Sequence, residues 1–412
     1  MSLVRDRSLA EAGRQKIEWA RSYMPVLREI GKTFAGEKPL ENLSLAMSIH
    51  LEAKTAVLAL TLRDAGAEVV VTGCNPLSTQ DDVAAGLDSL GVPVFAWCGA
   101  TPEEYTDHLT RVLTRRPHLL LDDGGDLTSL LHGSCAEYAG RLRGGTEETT
   151  TGVHRLRLRA AQGKLGFPMM SVNDADCKHL FDNRYGTGQS TFDAIMHTTN
   201  LIVAGKRVVV AGYGWCGRGI ALRAKGLGAD VIVTEIDAVK AIEAVMDGCR
   251  VMSMDEAAGL GDLFITATGC CDVIAARHME KMRDGALLCN AGHFDVEISL
   301  PDLRRLSGPG AVRRPGVTGY TLPDGRTLCV LGEGRLVNLA CGNGHPAEIM
   351  DMSFAVQALA LCYMAERGPS LRPGLYEVPR DIDAQVAAYK LHAFGIAIDS
   401  LTPEQAAYCQ TF

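Results

Sequence analysis

The chain has 412 residues, 47% hydrophobic and 22% charged, enough apolar material for packed cores and inconsistent with a disordered chain. Its formal net charge is −8, with Lys and Arg spread along its length, which argues against nucleic acid or an anionic membrane surface as a partner. At about twice the usual domain length, it is expected to form two domains.

An N-terminal helical stretch is read around Gly13–Lys32. Short apolar strands then alternate with amphipathic helices, the pattern of a doubly wound, mostly parallel α/β sheet. The strand candidates Leu43–His50, Glu68–Asn75, Pro93–Cys98, His118–Asp123 and Phe167–Asn173 nearly all end in polar, reactive residues. Ligands bind beyond the carboxyl ends of such strands, so one cleft lined by several loops is expected. A second alternating series, Arg207–Gly212, Asp230–Glu235, Asp262–Thr268, Ala286–Asn290 and Thr327–Gly332, predicts a second α/β unit. Asn183–Thr199 reads as the joining helix and Met350–Ala365 as an apolar helix returning to the first unit. The expected division is therefore a discontinuous first domain, 1–185 with 346–380, a second domain at 186–345, and a tail, 381–412, that packs on a neighbouring subunit.

No uncharged apolar run reaches the roughly 18 residues of a spanning helix, and the N-terminus leads into a charged segment, so a cytoplasmic protein is expected. The 13 cysteines are scattered and mostly sit in apolar strands, which reads as reduced core thiols. They form no C-x-x-C pair, and the adjacent Cys270 and Cys271 suit one tetrahedral zinc poorly, so no metal site is expected.

The glycines Gly212, Gly214 and Gly217 form G-x-G-x-x-G directly after a β-branched run, and Glu235 ends the next strand 18 residues later. That context is a Rossmann dinucleotide fingerprint, and an acid at this place accepts from a ribose diol and repels a 2′-phosphate, favouring NAD. Lys178 and Asp182 are four apart, so a helix presents both on one face, either toward a substrate or as a solvated ion pair. His50 can equally be a satisfied core histidine, and Asp122-Asp123 a capped turn. Glu147-Glu148 followed by Thr149, Thr150 and Thr151 suits an N-cap or a polyhydroxyl ligand. His293 and His345 each stand beside a glycine in the second unit.

These blocks closely resemble the S-adenosylhomocysteine hydrolase family from about Trp19 onward. The matching stretches include His50 with Thr55-Ala-Val, Cys74-Asn75, Ser78-Thr-Gln-Asp81, Asp122-Asp-Gly-Gly-Asp-Leu-Thr128, Glu147-Glu-Thr-Thr-Thr-Gly-Val153, Asn173-Asp174, Lys178, Asp182-Asn183, Asn290 with Gly292-His-Phe-Asp-Val-Glu297, and Gly344-His-Pro346. The resemblance implies a discontinuous substrate-binding domain, a Rossmann domain with tightly bound NAD, and a nucleoside between them. It also implies the family's reaction: oxidation of a 3′-hydroxyl, elimination across C4′–C5′, addition of water and re-reduction. By resemblance Lys178, its pKa lowered by desolvation, and Asp182 serve the 3′-hydroxyl, while His50 and Asp123 handle the C4′ proton, the leaving sulfur and the water. Glu52, Lys54, Thr79, Glu148, Asn173, Asn183, His293 and His345 would bind substrate, and Thr149, Thr150, Thr151, Gly212, Gly214, Gly217, Glu235, Asn290 and Asn338 would hold NAD. A homotetramer is implied as well.

Glu52 and Lys54 depart from the commonest family pattern and resemble a shorter archaeal and thermophilic branch, some of whose members prefer hypoxanthine. Two further readings stay open at this point. One is a specialised nucleoside dehydratase stopping at a 4′,5′-unsaturated sugar; the other is a catalytically silent NAD-binding regulator.

Overall fold

The computed structural model describes residues 2–411, so Met1 and Phe412, the outermost residues of the expected first domain and tail, lie outside it. Six strands open the first sheet: β1 (Ser44–Ser48), β2 (Glu68–Thr72), β3 (Val94–Phe95), β4 (Leu119–Asp122), β5 (Gly144–Glu147) and β6 (Pro168–Ser171). The second sheet takes β7 (Arg207–Ala211), β8 (Asp230–Thr234), β9 (Arg250–Val251), β10 (Leu263–Thr266), β11 (Leu287–Asn290), β12 (Ala311–Arg314), β13 (Val317–Thr321) and β14 (Thr327–Leu331). After the helix Ala347–Arg367 the chain rejoins the first sheet as β15 (Gly374–Glu377). The resulting orders are β15-β6-β5-β4-β1-β2-β3 and β12-β13-β14-β11-β10-β7-β8-β9. All pairs are parallel except β12–β13 and β13–β14.

Central strands are buried on both faces, and that is why β1, β4 and β7 carry few polar side chains. Strand order reverses between β1 and β4 in the first sheet and between β7 and β10 in the second, which opens a crevice at each point. His50 and Asp123 follow the two strands flanking the first crevice, and the glycine fingerprint follows β7.

Several elements differ from the sequence expectation. The N-terminal helical stretch is two helices, Ala10–Ser22 and Pro25–Glu37, because Pro25 disfavours helical backbone at Met24 and then occupies a first-turn position itself. β5 escapes sequence patterning because it opens with two glycines. A Cβ at Gly144 would lie 2.3 Å from Met364 and one at Gly145 2.8 Å from Leu120, so close packing excludes larger residues. The short β9, the antiparallel strands β12 and β13, and the returning β15 were not anticipated either. The joining helix begins as a π-helical stretch, His179–Gly186, before Thr187–Thr199. Its packing on the helix Trp215–Gly226 is backbone to backbone: a Cβ at Gly188 would meet Gly219 O at 2.4 Å, and one at Gly219 would overlap Arg184 O.

The segment Ala347–Ser370 is long and apolar enough to cross a membrane, but 67% of its most apolar stretch is buried inside the protein, the environment of a core helix. The expected neighbour-packing tail divides in two. The helix Arg380–Ala393 buries Ile382, Val386 and Lys390 against its own chain. Beyond it Phe394, Ile396, Ile398 and Leu401 are exposed.

Asp351, fully buried, ties three helices together: it accepts from Val26 N at 3.1 Å, Leu27 N at 2.9 Å and Lys390 Nζ at 3.0 Å. Asp351→Ala strands an ammonium and two helix N-terminal N–H groups in the core. We expect a loss of about 3–5 kcal/mol, read as a shift in the denaturant midpoint.

Candidate active site

A cavity of about 1150 Å³ runs from the end of β1 to the glycine fingerprint. It exceeds the roughly 300–1,000 Å³ of a single small-molecule site, which leaves room for two ligands end to end. Its inner end is built by strand register. β1 pairs with β2 through Ser48↔Thr72 and with β4 through Met47↔Leu121. Continuing those pairings two residues beyond the sheet sets His50 beside Cys74 and Asp123 beside Ile49. Asp123 Oδ2 receives the Cys74 thiol at 3.3 Å and lies 3.9 Å from His50 Nε2, while its Oδ1 is buried without a partner. The Ser78 hydroxyl donates to Asn75 O at 3.0 Å, so the 2.6 Å contact assigns the proton to His50 Nδ1 and leaves the Nε2 lone pair free. Burial pushes the imidazole pKa down to about 4 against the pull of Asp123, which keeps it neutral. The neighbouring Asp122 does a different job, accepting from Leu127 N and Thr128 N at the start of the helix Asp126–Leu131.

Lys178 is buried, not solvated. Its Nζ donates to Asn183 Oδ1 at 2.8 Å and lies 3.3 Å from Asp182 and 3.4 Å from Glu148. The sequence expectation of a lowered lysine pKa is corrected here. Burial opposes the ammonium, but the carboxylates of Asp182 and Glu148 outweigh it and raise the value. Asp182 also faces burial, yet Lys178, His345 Nδ1 at 2.6 Å and Ser353 Oγ at 2.8 Å hold its carboxyl well below the usual range. Glu148 shows the opposite balance. Burial raises its pKa from the ordinary 4.5 to about 8 despite Lys178, and the Gln357 amide donates to it at 2.6 Å. A line of amides extends the cluster, Asn183 Nδ2 donating to Asn173 Oδ1 at 3.0 Å and Thr150 Oγ1 to the same oxygen at 3.2 Å.

The other end is shaped for a dinucleotide. Gly212 has φ +93, and a Cβ at Gly217 would overlap Gly212 O, so the turn and the close strand–helix approach both require glycine. Gly214 leaves open space before the N-terminus of Trp215–Gly226, where backbone N–H groups suit a pyrophosphate. Glu235 stands at the end of β8, accepting from Tyr213 N and Ile236 N. Asn338 Oδ1 is buried without a partner although its amide donates to Ser190. These features fit NAD.

The cavity brings together His50, Glu52, Asp123, Glu148, Thr149, Thr150, Thr151, Asn173, Lys178, Asp182, Asn183, Gly212, Gly214, Glu235, His293, Asn338 and His345. Four expected residues do not line it. Thr79 is buried and donates to Asn75 O, and Gly217 packs under the turn. Asn290 secures the loop carrying His293 by donating to Gly292 O and Phe294 O. Lys54 turns away to Asn343 O at 2.7 Å and forms a buried pair with Glu52 at 2.6 Å. Sequence reasoning missed Ser353 and Gln357, which brace Asp182 and Glu148. Two polar residues four apart in the apolar middle of that helix were the available signal. His293 reaches across from the second sheet onto Gly124, where a Cβ would stand 2.8 Å from Nε2.

A Rossmann sheet whose phosphate cradle opens into a buried lysine, carboxylate and histidine cluster defines an NAD-dependent enzyme with a cleft between two α/β sheets. Residues 2–139 match the family described as S-adenosyl-L-homocysteine hydrolase, and residues 183–344 match its NAD binding domain. Among curated proteins, the chain is 55% identical over 410 residues to the S-inosyl-L-homocysteine hydrolase of Methanopyrus kandleri, covering 99% of this chain and 97% of that one. It is 54% identical over 396 residues to the adenosylhomocysteinase of Archaeoglobus fulgidus, covering 96% and 98%, and 54% over 400 residues to that of Thermotoga maritima, covering 97% and 99%. The chain belongs to the S-adenosyl-L-homocysteine hydrolase family.

Glu148 gives a pH test. Between 4.5 and about 8 the folded chain holds a proton that the unfolded chain releases, so stability falls as pH rises through that window. Glu148→Gln removes this dependence. The melting temperature of the variant minus that of the parent should therefore grow from pH 5 to pH 8.

Proposed function

We propose that this chain is an NAD-dependent hydrolase of purine S-nucleosyl-L-homocysteine, releasing nucleoside and homocysteine. The observation that carries this reading is the juxtaposition, in one cavity with the dinucleotide cradle, of the Lys178–Asp182–Glu148 cluster and the His50–Asp123 pair. NAD, when bound, supplies the reversible oxidation of the 3′-hydroxyl that acidifies the C4′ proton. Thr149, Thr150, Thr151, Gly212, Gly214, Glu235 and Asn338 would hold it.

In this reading the 3′-hydroxyl proton leaves through Lys178, whose ammonium hands one of its own protons to Asp182 as Nζ takes up the new one, with His345 Nδ1 bracing the Asp182 carboxyl. Glu148, neutral near pH 7, both accepts from and donates to ribose hydroxyls through its unpartnered Oε1. Asn173 and Asn183 orient the amine. The free lone pair of His50 Nε2 receives the C4′ proton, and Asp123 serves the sulfur and the incoming water. His293 and His345 close the two sides of the cleft. Residues 1–185 with 346–380 form the substrate-binding part of this scheme and 186–345 the NAD-binding part. Free thiols at all 13 cysteines support a reducing, cytoplasmic setting.

Glu52 lines the cavity and Lys54 stands behind it, so Glu52 is the group that reads the purine edge. Its carboxylate accepts either from a 6-amino group or from the N1–H of a 6-oxopurine, and the Lys54 ammonium behind it holds that carboxylate in place. The assembly proposed is a homotetramer. It is supported by two exposed apolar surfaces, the segment carrying Ile236, Val239, Ile242 and Met246, and the tail from Phe394 to Leu401.

Lys178→Ala should retain NAD but show no cofactor reduction in single turnover with substrate; reduction at the parent rate would overturn its role. Glu52→Thr and Lys54→Glu should each change the ratio of kcat/KM for adenosyl- and inosyl-homocysteine by more than about threefold, or ~0.65 kcal/mol. Light scattering at micromolar concentration should give the mass of four chains.

A further inference from the structure

We propose that His50, Cys74 and Asp123 form a three-ligand binding site for a thiophilic divalent cation, Zn²⁺ being the best fit. Three adjacent parallel strands deliver these side chains from their carboxyl ends, and their ligand atoms lie within 4.8 Å of one another. Cys74 Sγ and Asp123 Oδ2 are 3.3 Å apart, and His50 Nε2 and Asp123 Oδ2 are 3.9 Å apart. A tetrahedral zinc with bonds of about 2.0–2.3 Å spaces its ligands by roughly 3.3–3.8 Å, so side-chain adjustments suffice.

Three further features distinguish the cluster from a chance meeting of polar groups. Cys74 and Asp123 are both more than nine-tenths buried, and Asp123 Oδ1 has no hydrogen-bond partner. His50 Nδ1 is occupied by Ser78, the outer contact that fixes a metal-binding imidazole with Nε2 pointing inward. His50 and Asp123 also line the cavity, so the site is reachable and keeps its fourth position open. One histidine, one thiolate and one carboxylate form a mixed set that suits zinc better than magnesium or calcium. Sequence spacing conceals it, because the ligands come from three separate strands.

Binding exchanges the Cys74 S–H bond for an S–Zn bond and releases the thiol proton to the buffer, with no change in oxidation state. The bound ion occupies the His50 lone pair and the Asp123 carboxylate, so it also inhibits turnover. That inhibition rests on the catalytic reading of these two residues given above, whereas the binding itself does not.

The test uses the NAD-loaded protein with the cofactor oxidised and Co²⁺ as the probe. The expected result is a thiolate-to-cobalt charge-transfer band with the intense visible absorption of four-coordinate cobalt, abolished in Cys74→Ala. The band should persist in a Cys270→Ser/Cys271→Ser variant, which removes the exposed vicinal thiols. Calorimetry with Zn²⁺ should show at least tenfold weaker binding in Cys74→Ala than in the parent. Should Cys74→Ala lose NAD, Cys74→Ser carries the same comparison, since it preserves a donor toward Asp123 without offering a thiolate. A band that survives either Cys74 variant, or Zn²⁺ binding within threefold of the parent, overturns the proposal. Co²⁺ binding with the thiolate signature and Cys74-dependent Zn²⁺ binding, but undiminished turnover in Zn²⁺, support the metal site and overturn the role given to His50 and Asp123.

Discussion

A buried ammonium must have its countercharge within a few ångströms, and the position of Lys178 imposes that demand on both parts of the molecule. Asp182 supplies the charge from the same π-helical stretch, while Glu148, at the end of β5, and Asn183, the residue after Asp182, surround the ammonium with polar atoms. Those partners need support in turn. Asp182 takes it from Ser353 and from His345, and Glu148 from Gln357. His345 lies in the segment by which the chain leaves the second sheet, and Asp182 lies in the segment by which it enters. The charge cluster thus pins the two crossings to each other, so the chain's two passages between the sheets meet in one hydrogen-bond network.

The same arrangement sorts four ionisable groups into different states near pH 7. Lys178 is charged and Asp182 ionised, while Glu148 and His50 are held neutral. Burial acts on all four, and the number of opposite charges within reach decides the outcome. The cavity thus presents a neutral acid and a neutral base beside an ion pair, a proton donor and a proton acceptor without added net charge.

The alternating strands, the second sheet and the dinucleotide turn were legible because their signals are local: apolar runs, glycine spacing and an acid one strand later. The polar strand ends also pointed to the correct face of the first sheet. The titration of Lys178 was not legible, since desolvation could be anticipated from an apolar setting but the approach of Glu148 from a separate strand could not. β5 was hidden by glycines that packing requires and that sequence patterning reads as a turn. Thr79 and Asn290 belong to the matching blocks yet serve loops instead of the cavity, because a motif records which residues stay together and not which of them face the ligand. Lys54 was similarly ambiguous until its contact with Asn343, almost three hundred positions away, assigned its direction.

The contact between the joining helix and the helix after the glycine fingerprint is made by backbone atoms at Gly188 and Gly219. Most helix pairs can drift over evolutionary time as one large side chain is exchanged for another, since the spacing between axes follows the residues in between. Here no side chain stands between them to exchange. Any replacement would force the dinucleotide cradle away from the crossing segment and from the lysine that segment carries. The distance from the cradle to that lysine is therefore set by the chain itself, and it leaves substitution no room to adjust it.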